Sequence, residues 1–532
     1  MKYILLHVFV IFMGFSARAQ QERPNILFVV LDDAGTDMGA YGSSYVNTPA
    51  FDEIAKAGLL FNKAYTPNAK CAPSRAAILT GRNSWQLDAA VNHLAYFPTK
   101  FKTFPEVLAA HGYAVGYTGK GWGPGIAETE DNRPRYLTGK GYNELTLTPP
   151  TAAISSNDYA GNFNMFLDEV DGTRPWSFWV GSLEPHRGYE FNSGVSLGNK
   201  KPEMITDFPN YWPDTEVVRK DLLDYAYEIE YMDRQVKLIL DMLKDKKMME
   251  NTLIVYTSDH GMPFPRVKGN QYETSNHIPL AISWGNKIVA RGSVINDFIS
   301  FIDIAPTILE AANIPWAKSE MQPFTGKSLF EYFTSDANNL NKGRNFVLVG
   351  KERHDTGRPN DVGYPIRGVY KDSMLYLKNY EPQRWPSGNP ETGYLNTDGS
   401  PTKTLLLNQR RSGENYDFWK MNFGKRPTEE LYNLLQDPFC VENLANDMDW
   451  LATKTYLQSF MEAKLKEQGD WRVSGYGFLY EQFPMTNGNG FYDAFFKGVK
   501  PNTGWVSDSD FEGFFITDDG KNDGPVSIPG DQ

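Results

Sequence analysis

The stretch Asn25-Ile26-Leu27-Phe28-Val29-Val30-Leu31, followed at once by Asp32-Asp33, decides the fold. Its apolar run shows no alternation, the pattern of a parallel strand covered on both faces. Thr48-Pro49 then opens a helical segment that Gly58 closes, with proline in the first turn and glycine after the last. A buried strand leading into a helix is the unit of an α/β sheet. Working outward, three further runs behave alike. Tyr113 to Thr118 precedes Gly119-Lys120, Trp176 to Val180 precedes Glu184-Pro185-His186, and Thr252 to Thr257 precedes Asp259-His260-Gly261. Ligands of open α/β sheets bind beyond the carboxyl ends of the strands, so these four segments are expected to deliver side chains into one crevice. Between the last two, Lys220 to Lys244 carries apolar residues at Leu222, Tyr225, Ile229, Met232, Val236, Leu240 and Leu243, which predicts a packed helix rather than chemistry.

After about Asn341 the character changes to aromatic-rich short strands and long turns, including 347–350 and 368–377. This predicts a smaller, mostly antiparallel second domain. The first residues combine Lys2, an apolar run from Ile4 to Phe15 and the small residues of Ala17-Arg18-Ala19, the pattern of a cleavable export signal. That run is shorter than the roughly 20 apolar residues a spanning helix needs. The expected organisation is therefore a signal peptide over 1–19, a catalytic domain over 20–340 and a C-terminal subdomain over 341–532 that contributes substrate recognition. The protein is expected to be periplasmic or secreted, without a membrane span. The Asp- and Gly-rich segment from Thr517 reads as disordered.

The chain carries 53 basic and 65 acidic side chains, a net charge of -12, which excludes a nucleic-acid binder by its field. Its only cysteines are Cys71 and Cys440, so no disulfide framework holds the fold. Cys440 reads as a small buried hydrophobe.

Cys71 has a different explanation. The segment Cys71-Ala72-Pro73-Ser74-Arg75-Ala76-Ala77-Ile78-Leu79-Thr80-Gly81-Arg82 resembles the type I, formylglycine-dependent sulfatase signature C-x-P-S-R-x-x-x-L-T-G-R at every fixed position. The resemblance implies an alkaline-phosphatase-like α/β fold, a mixed sheet sandwiched by helices with a smaller C-terminal domain on an antiparallel sheet. It also implies conversion of Cys71 to formylglycine (3-oxoalanine) by a formylglycine-generating or anaerobic sulfatase-maturing enzyme. The physics agrees, because a helix N-terminus offers free N–H groups and partial positive charge to a tetrahedral sulfate. Arg75, one turn on, can add a guanidinium. A hydrated aldehyde carries two hydroxyls, one to attack sulfur and one to expel sulfate afterwards.

By the same resemblance, Asp32, Asp33, Asp259 and His260 hold one Ca2+ together with the oxygen of residue 71. Hard oxygen donors suit calcium. His260 departs from the Asn of many relatives. Lys120 and Lys268 are implied to contact sulfate and His186 to protonate the leaving group; Arg266 competes with Lys268 for its place. Gly119-Lys120-Gly121-Trp122 lacks the histidine that many sulfatases carry just after the lysine. The base for sulfate elimination stays open, with His277 and His93 as candidates.

The similarity is greatest to the N-sulfoglucosamine sulfohydrolase (heparan N-sulfatase)-like branch. It is carried by Ser258 to Pro265, by Tyr364-Pro365-Ile366-Arg367, and by Glu430 to Leu434 with Asp437-Pro438 and Asn443-Leu444-Ala445. Lys351 to Arg358 is dense in groups that can hold sugars, which makes His354, Arg358 and Arg367 the substrate candidates. The expected activity is hydrolysis of sulfate esters on a sulfated polysaccharide or its oligosaccharides, algal ones such as ulvan or carrageenan favoured. Cleavage of N-linked sulfate from glucosamine is the alternative. A phosphoester hydrolase of the same fold ranks lower, because its usual Thr or Ser nucleophile and fuller acidic ligand set are not evident.

Overall fold

A computed structural model describes residues 23–528 except 171, 173, 286, 337–339, 341–342 and 500–501. The export signal assigned to 1–19 lies outside the described residues. Among the described residues no helix is long and apolar enough to cross a membrane.

The Asn25–Leu31 strand sits at the centre of an eight-stranded sheet. Thr252–Ser258, Asn25–Leu31, Trp176–Gly181, Ala114–Gly119 and Lys140–Gly141 run parallel in that spatial order. Leu280–Trp284 joins Thr252–Ser258 antiparallel and carries Leu59–Phe61 and Ser293–Ile295 to the far edge. The sheet is thus mixed, as expected. Alternate residues of the central strand explain its unbroken apolar run. Leu27, Val29 and Leu31 pack in one core with Leu222, Tyr225, Ile229 and Met232 of the Glu216–Asp245 helix. Ile26, Phe28 and Val30 pack in the opposite core with Ile78, Phe104, Ile304 and Ile308. Each fully buried side chain of this size contributes roughly 1.5–3 kcal/mol.

A four-stranded antiparallel sheet follows, in the order Phe346–Lys351, Ile366–Lys371, Met374–Asn379, Glu429–Asn433. One set of its side chains joins Tyr65, Tyr272 and Phe298, and the other joins Trp85 and the Leu451–Glu467 helix. Cys440 is fully buried in the first of these clusters. The stretch 368–377 contains the last part of one strand and the first of the next, joined at Asp372, whose φ is 57°.

The expectation of disorder beyond Thr517 is corrected: Phe514–Ile516 pairs with Asn522–Pro525. The Asp- and Gly-rich composition serves the turn between them. Gly520 adopts a left-handed φ of 88°, and its carbonyl accepts from Arg410 Nη1 at 3.0 Å.

Candidate active site

Four strand ends meet where the sequence predicts. Asp32 and Asp33 follow the central strand, and Asp259 and His260 follow its neighbour; all four are buried. Asp33 holds a left-handed φ of 73°. That conformation costs on the order of 1–3 kcal/mol in a non-glycine residue. It is held by Asp33 N donating to Asp259 Oδ1 at 3.1 Å and Ala34 N donating to Ser258 Oγ at 2.8 Å.

The helix Cys71–Thr80 points its N-terminus into this cluster. No side chain caps it, and Gly81 ends it with a φ of 70°. Cys71 Sγ lies 3.4 Å from His260 Nε2 and 3.9 Å from Asp33 Oδ1. Ser74 Oγ donates to the Asp259 carbonyl at 2.5 Å, which ties the helix to the neighbouring strand end.

Arg75 differs from its expected role. Its Nε donates to Asp259 Oδ2 at 2.8 Å, its Nη2 to Asp32 Oδ1 at 3.1 Å, and its Nη1 to the carbonyls of Lys120 and Gly121. A buried guanidinium with its three nitrogens so engaged orients two carboxylates instead of facing an incoming sulfate.

Lys120 Nζ sits 2.6 Å from Asp32 Oδ2. Lys268 Nζ reaches Asp33 Oδ2 at 2.6 Å, Asp398 Oδ2 at 2.5 Å and His186 Nε2 at 3.1 Å. Arg266, the competitor of Lys268, points elsewhere, bonding the Met421 and Cys440 carbonyls and lying over Tyr272. The His186 ring is 30% exposed, and its Nδ1 faces the Arg187 carbonyl at 2.6 Å, so Nε2 is the nitrogen presented to the site. Burial pushes the Asp32 and Asp33 carboxyls up, but the charges of Lys120 and Arg75 on the first, and of Lys268 and His260 on the second, hold both well below the usual range. For Asp259 burial wins over Arg75 and His260, raising it to about 6. Burial disfavours the charged form of Lys268, yet Asp33 and Asp398 outweigh it and keep its ammonium protonated.

The donor set fits a divalent cation. Ligand atoms of Asp33, Cys71 and His260 lie within 4.8 Å of one another, as do those of Asp32, Cys71 and Asp259. His260 Nδ1 faces the Gly261 carbonyl at 3.0 Å, which places the ring proton there. Its Nε2 lies 2.8 Å from Asp33 Oδ1, where the second proton of an imidazolium or a cation joins the two groups; burial pulls the imidazole down, but Asp33 and Asp259 hold it well above its usual range.

Asp32, Cys71, Lys120, His186 and Lys268 line a cleft of about 830 Å³. Its walls also include Trp122, Glu184, Glu228 and, from the later chain, Asp355, Asp398, Asn487 and Trp505. The three proposed sugar contacts are corrected, since none is among the residues lining the cleft. His354 is buried, with Nε2 against Asn68 Oδ1 at 2.8 Å. Arg358 is buried on the Trp385 and Pro386 carbonyls. Arg367 is buried between Asp470 and Glu352. Of the Lys351 to Arg358 stretch, it is Asp355 that reaches the cleft. Asp398 went unread because it stands in a loop without a strand-end signal. Trp122 donates from Nε1 to the Ala72 carbonyl at 2.9 Å and so braces the start of the Cys71–Thr80 helix. Of the open base candidates, His93 lines this cleft, whereas His277 lines a separate pocket.

A mixed sheet with buried carboxylates, lysines and a cysteine converging beyond its strand ends is an α/β fold of the alkaline-phosphatase-like kind. Residues 24–314 match the Sulfatase family, more than half the chain. The protein belongs to the sulfatase family and is a sulfuric ester hydrolase. It is 28% identical over 482 residues to an ulvan-active sulfatase of Formosa agariphila, covering 84% of this chain and 76% of that protein. It is also 28% identical over 464 residues to human N-sulphoglucosamine sulphohydrolase, covering 80% of this chain and 86% of the relative. Among solved structures, BT4656 in complex with D-glucosamine-2-N,6-O-disulfate superposes with a TM-score of 0.58 at 19% identity, covering 84% of this chain and 99% of that one.

Proposed function

We propose that this chain is an exported sulfatase that hydrolyses sulfate esters of a sulfated polysaccharide or its oligosaccharides, with formylglycine made from Cys71 by a maturing enzyme as its nucleophile. One observation carries the proposal: the open N-terminus of the Cys71–Thr80 helix stands beside Lys120, Lys268 and His186 in one cleft. The name of the Formosa relative favours an algal glycan. The name of the human relative supports N-linked sulfate on glucosamine as the second reading. We assign residues 20–340 to the catalytic domain and 341–532 to a subdomain that completes the cleft through Asp355, Asp398, Asn487 and Trp505. The export signal over 1–19 directs the protein to the periplasm or medium. With a net charge of -12, capture of a polyanion must rely on the local lysines.

The aldehyde at position 71 supplies, once hydrated, a hydroxyl nucleophile, and a divalent cation, assigned as Ca2+, supplies charge to activate it. Asp32, Asp33, Asp259 and His260 would hold that cation. Arg75 orients Asp32 and Asp259 from behind. Lys120 and Lys268 donate hydrogen bonds to sulfate oxygens, and the charged form of Lys268 is secured by Asp398. In its doubly protonated form His186 gives the Nε2 proton to the departing oxygen and keeps Nδ1–H on the Arg187 carbonyl.

Peptide mass of protein co-expressed with a maturing enzyme, together with sulfate release from ulvan, carrageenan and heparin oligosaccharides, tests the proposal. Conversion at Cys71 with release from an algal substrate supports it. Release from N-sulfated glucosamine alone promotes the second reading, and full conversion without release from any of them overturns both. Calcium at a hundredfold excess over its dissociation constant is expected to stabilise the protein by about 2.7 kcal/mol, read as a raised thermal midpoint. An equal rise with magnesium would remove the calcium assignment.

His186→Ala is expected to lower kcat for a sugar sulfate by about 10²–10⁴-fold. The loss should shrink for 4-nitrophenyl sulfate, whose leaving group departs without a proton. Equal losses on the two substrates would remove the assignment as general acid.

A further inference from the structure

One wall of the cleft carries His93, to which the proposed mechanism gives no role. His93 Nδ1 pairs with Asp355 Oδ1 at 2.8 Å, and Asp355 Oδ2 pairs with Lys70 Nζ at 2.7 Å. Lys70 directly precedes Cys71, and all three residues line the cleft. His93 is only 6% exposed, and its Nε2 has no hydrogen-bond partner. An unpaired buried polar atom is unfavourable unless something met in function satisfies it.

The backbone leaves the ring little freedom. His93 N donates to the Arg353 carbonyl at 3.0 Å, and Thr486 N donates to the Leu94 carbonyl at 2.8 Å. The Asn92 side chain bridges Arg353 N at 2.9 Å and the Tyr480 carbonyl at 3.0 Å. Leu94 itself adopts a left-handed φ of 53°, so the segment is bent and clamped on both sides. Three stretches far apart in the chain therefore hold one imidazole at the cleft.

We propose that His93, positioned by Asp355, is a specificity-determining residue that accepts a hydrogen bond from a hydroxyl of the sugar bearing the scissile sulfate. Lys70 and Asp355 neutralise each other, so the pair adds no net charge beside the ring. In the tautomer that gives its Nδ1 proton to the carboxylate, Nε2 is an acceptor. An acceptor selects an O–H donor and disfavours a second sulfate or a carboxylate at that place. Trp122 and Trp505 line the same cleft and supply apolar surface beside it, the combination that sugars require.

Resting on the proposed glycan activity, the test compares wild type, His93→Ala, His93→Gln and Asp355→Asn on whichever oligosaccharide of the panel wild type desulfates, with inorganic sulfate as a sugar-free inhibitor. His93→Ala is expected to raise KM about tenfold or more while the inhibition constant of inorganic sulfate stays within about twofold. His93→Gln, which retains an acceptor, should recover much of the loss. If His93→Ala does not fold, Asp355→Asn carries the same expectation, since it releases the ring from its tautomer and orientation. An unchanged KM, or parallel loss of glycan and inorganic sulfate binding, overturns the proposal. A wild-type enzyme that desulfates no glycan overturns the proposed function and this contact with it, whereas glycan turnover insensitive to His93 overturns the contact alone.

Discussion

Cys71→Ala is expected to abolish sulfate release, by roughly 10⁴-fold or more, while leaving the fold in place. The thiol is 2% exposed at the first position of its helix and contributes neither to the cap nor to a backbone hydrogen bond. Removing one buried atom of this kind costs about 1 kcal/mol. The surrounding carboxylates keep Arg75, Lys120 and Lys268 as partners whether or not the thiol is there. Activity and stability should therefore separate: sulfate release disappears, and the urea midpoint moves little. Turnover within tenfold of wild type would remove Cys71 from the chemistry. A collapse of stability alongside activity would make it a packing residue.

Arg367→Ala is expected to do the opposite, destabilising the protein by about 3–5 kcal/mol without acting on the substrate directly. Arg367 Nε and Nη2 bind both oxygens of Asp470 at 2.6 and 2.9 Å, and Nη2 also reaches Glu352 Oε1 at 2.8 Å. Its Nη1 caps the carbonyls of Lys351 and Ile366, and its plane lies over Trp85 and Tyr480. Glu352 and Asp470 are fully buried, so loss of the arginine strands carboxylates in a medium that penalises charge. Burial already raises the Glu352 carboxyl despite Arg367 and Arg472 beside it. The double variant Arg367→Met with Asp470→Asn should recover part of the loss, because it removes both ends of the bidentate pair. A single variant with an unchanged urea midpoint and a raised KM would instead restore Arg367 as a substrate contact.

Arg367 shows where sequence reasoning reached its limit. An arginine in a polar stretch near a recognisable motif reads equally as a sugar contact or a buried brace, and only its partner decides. That partner, Asp470, lies 103 positions away and belongs to no motif. His354 and Arg358 fail for the same reason. Asp355, between them, faces the cleft, and nothing in the local pattern distinguishes it from its neighbours. Lys120, His186 and Asp259 follow strand ends closely and were legible for that reason, whereas Lys268 came from the resemblance with Arg266 as its competitor, and the fold decides between those two.

The chain by itself determined the sheet and the gathering of polar residues beyond its strand ends. A strand buried on both faces must be apolar throughout, and the polar residues just beyond its end are confined by chain continuity to the crevice there. The motif from Cys71 to Arg82 is local in the same way, since one helix turn sets the relation of Cys71, Ser74 and Arg75. Tertiary structure alone decided that Arg75 orients carboxylates, that Asp398 backs Lys268, and that Lys70, Asp355 and His93 form one wall. Those relations depend on which buried charge finds which counter-charge. Pairing of that kind is settled by desolvation and geometry across the whole fold, and no local periodicity records it.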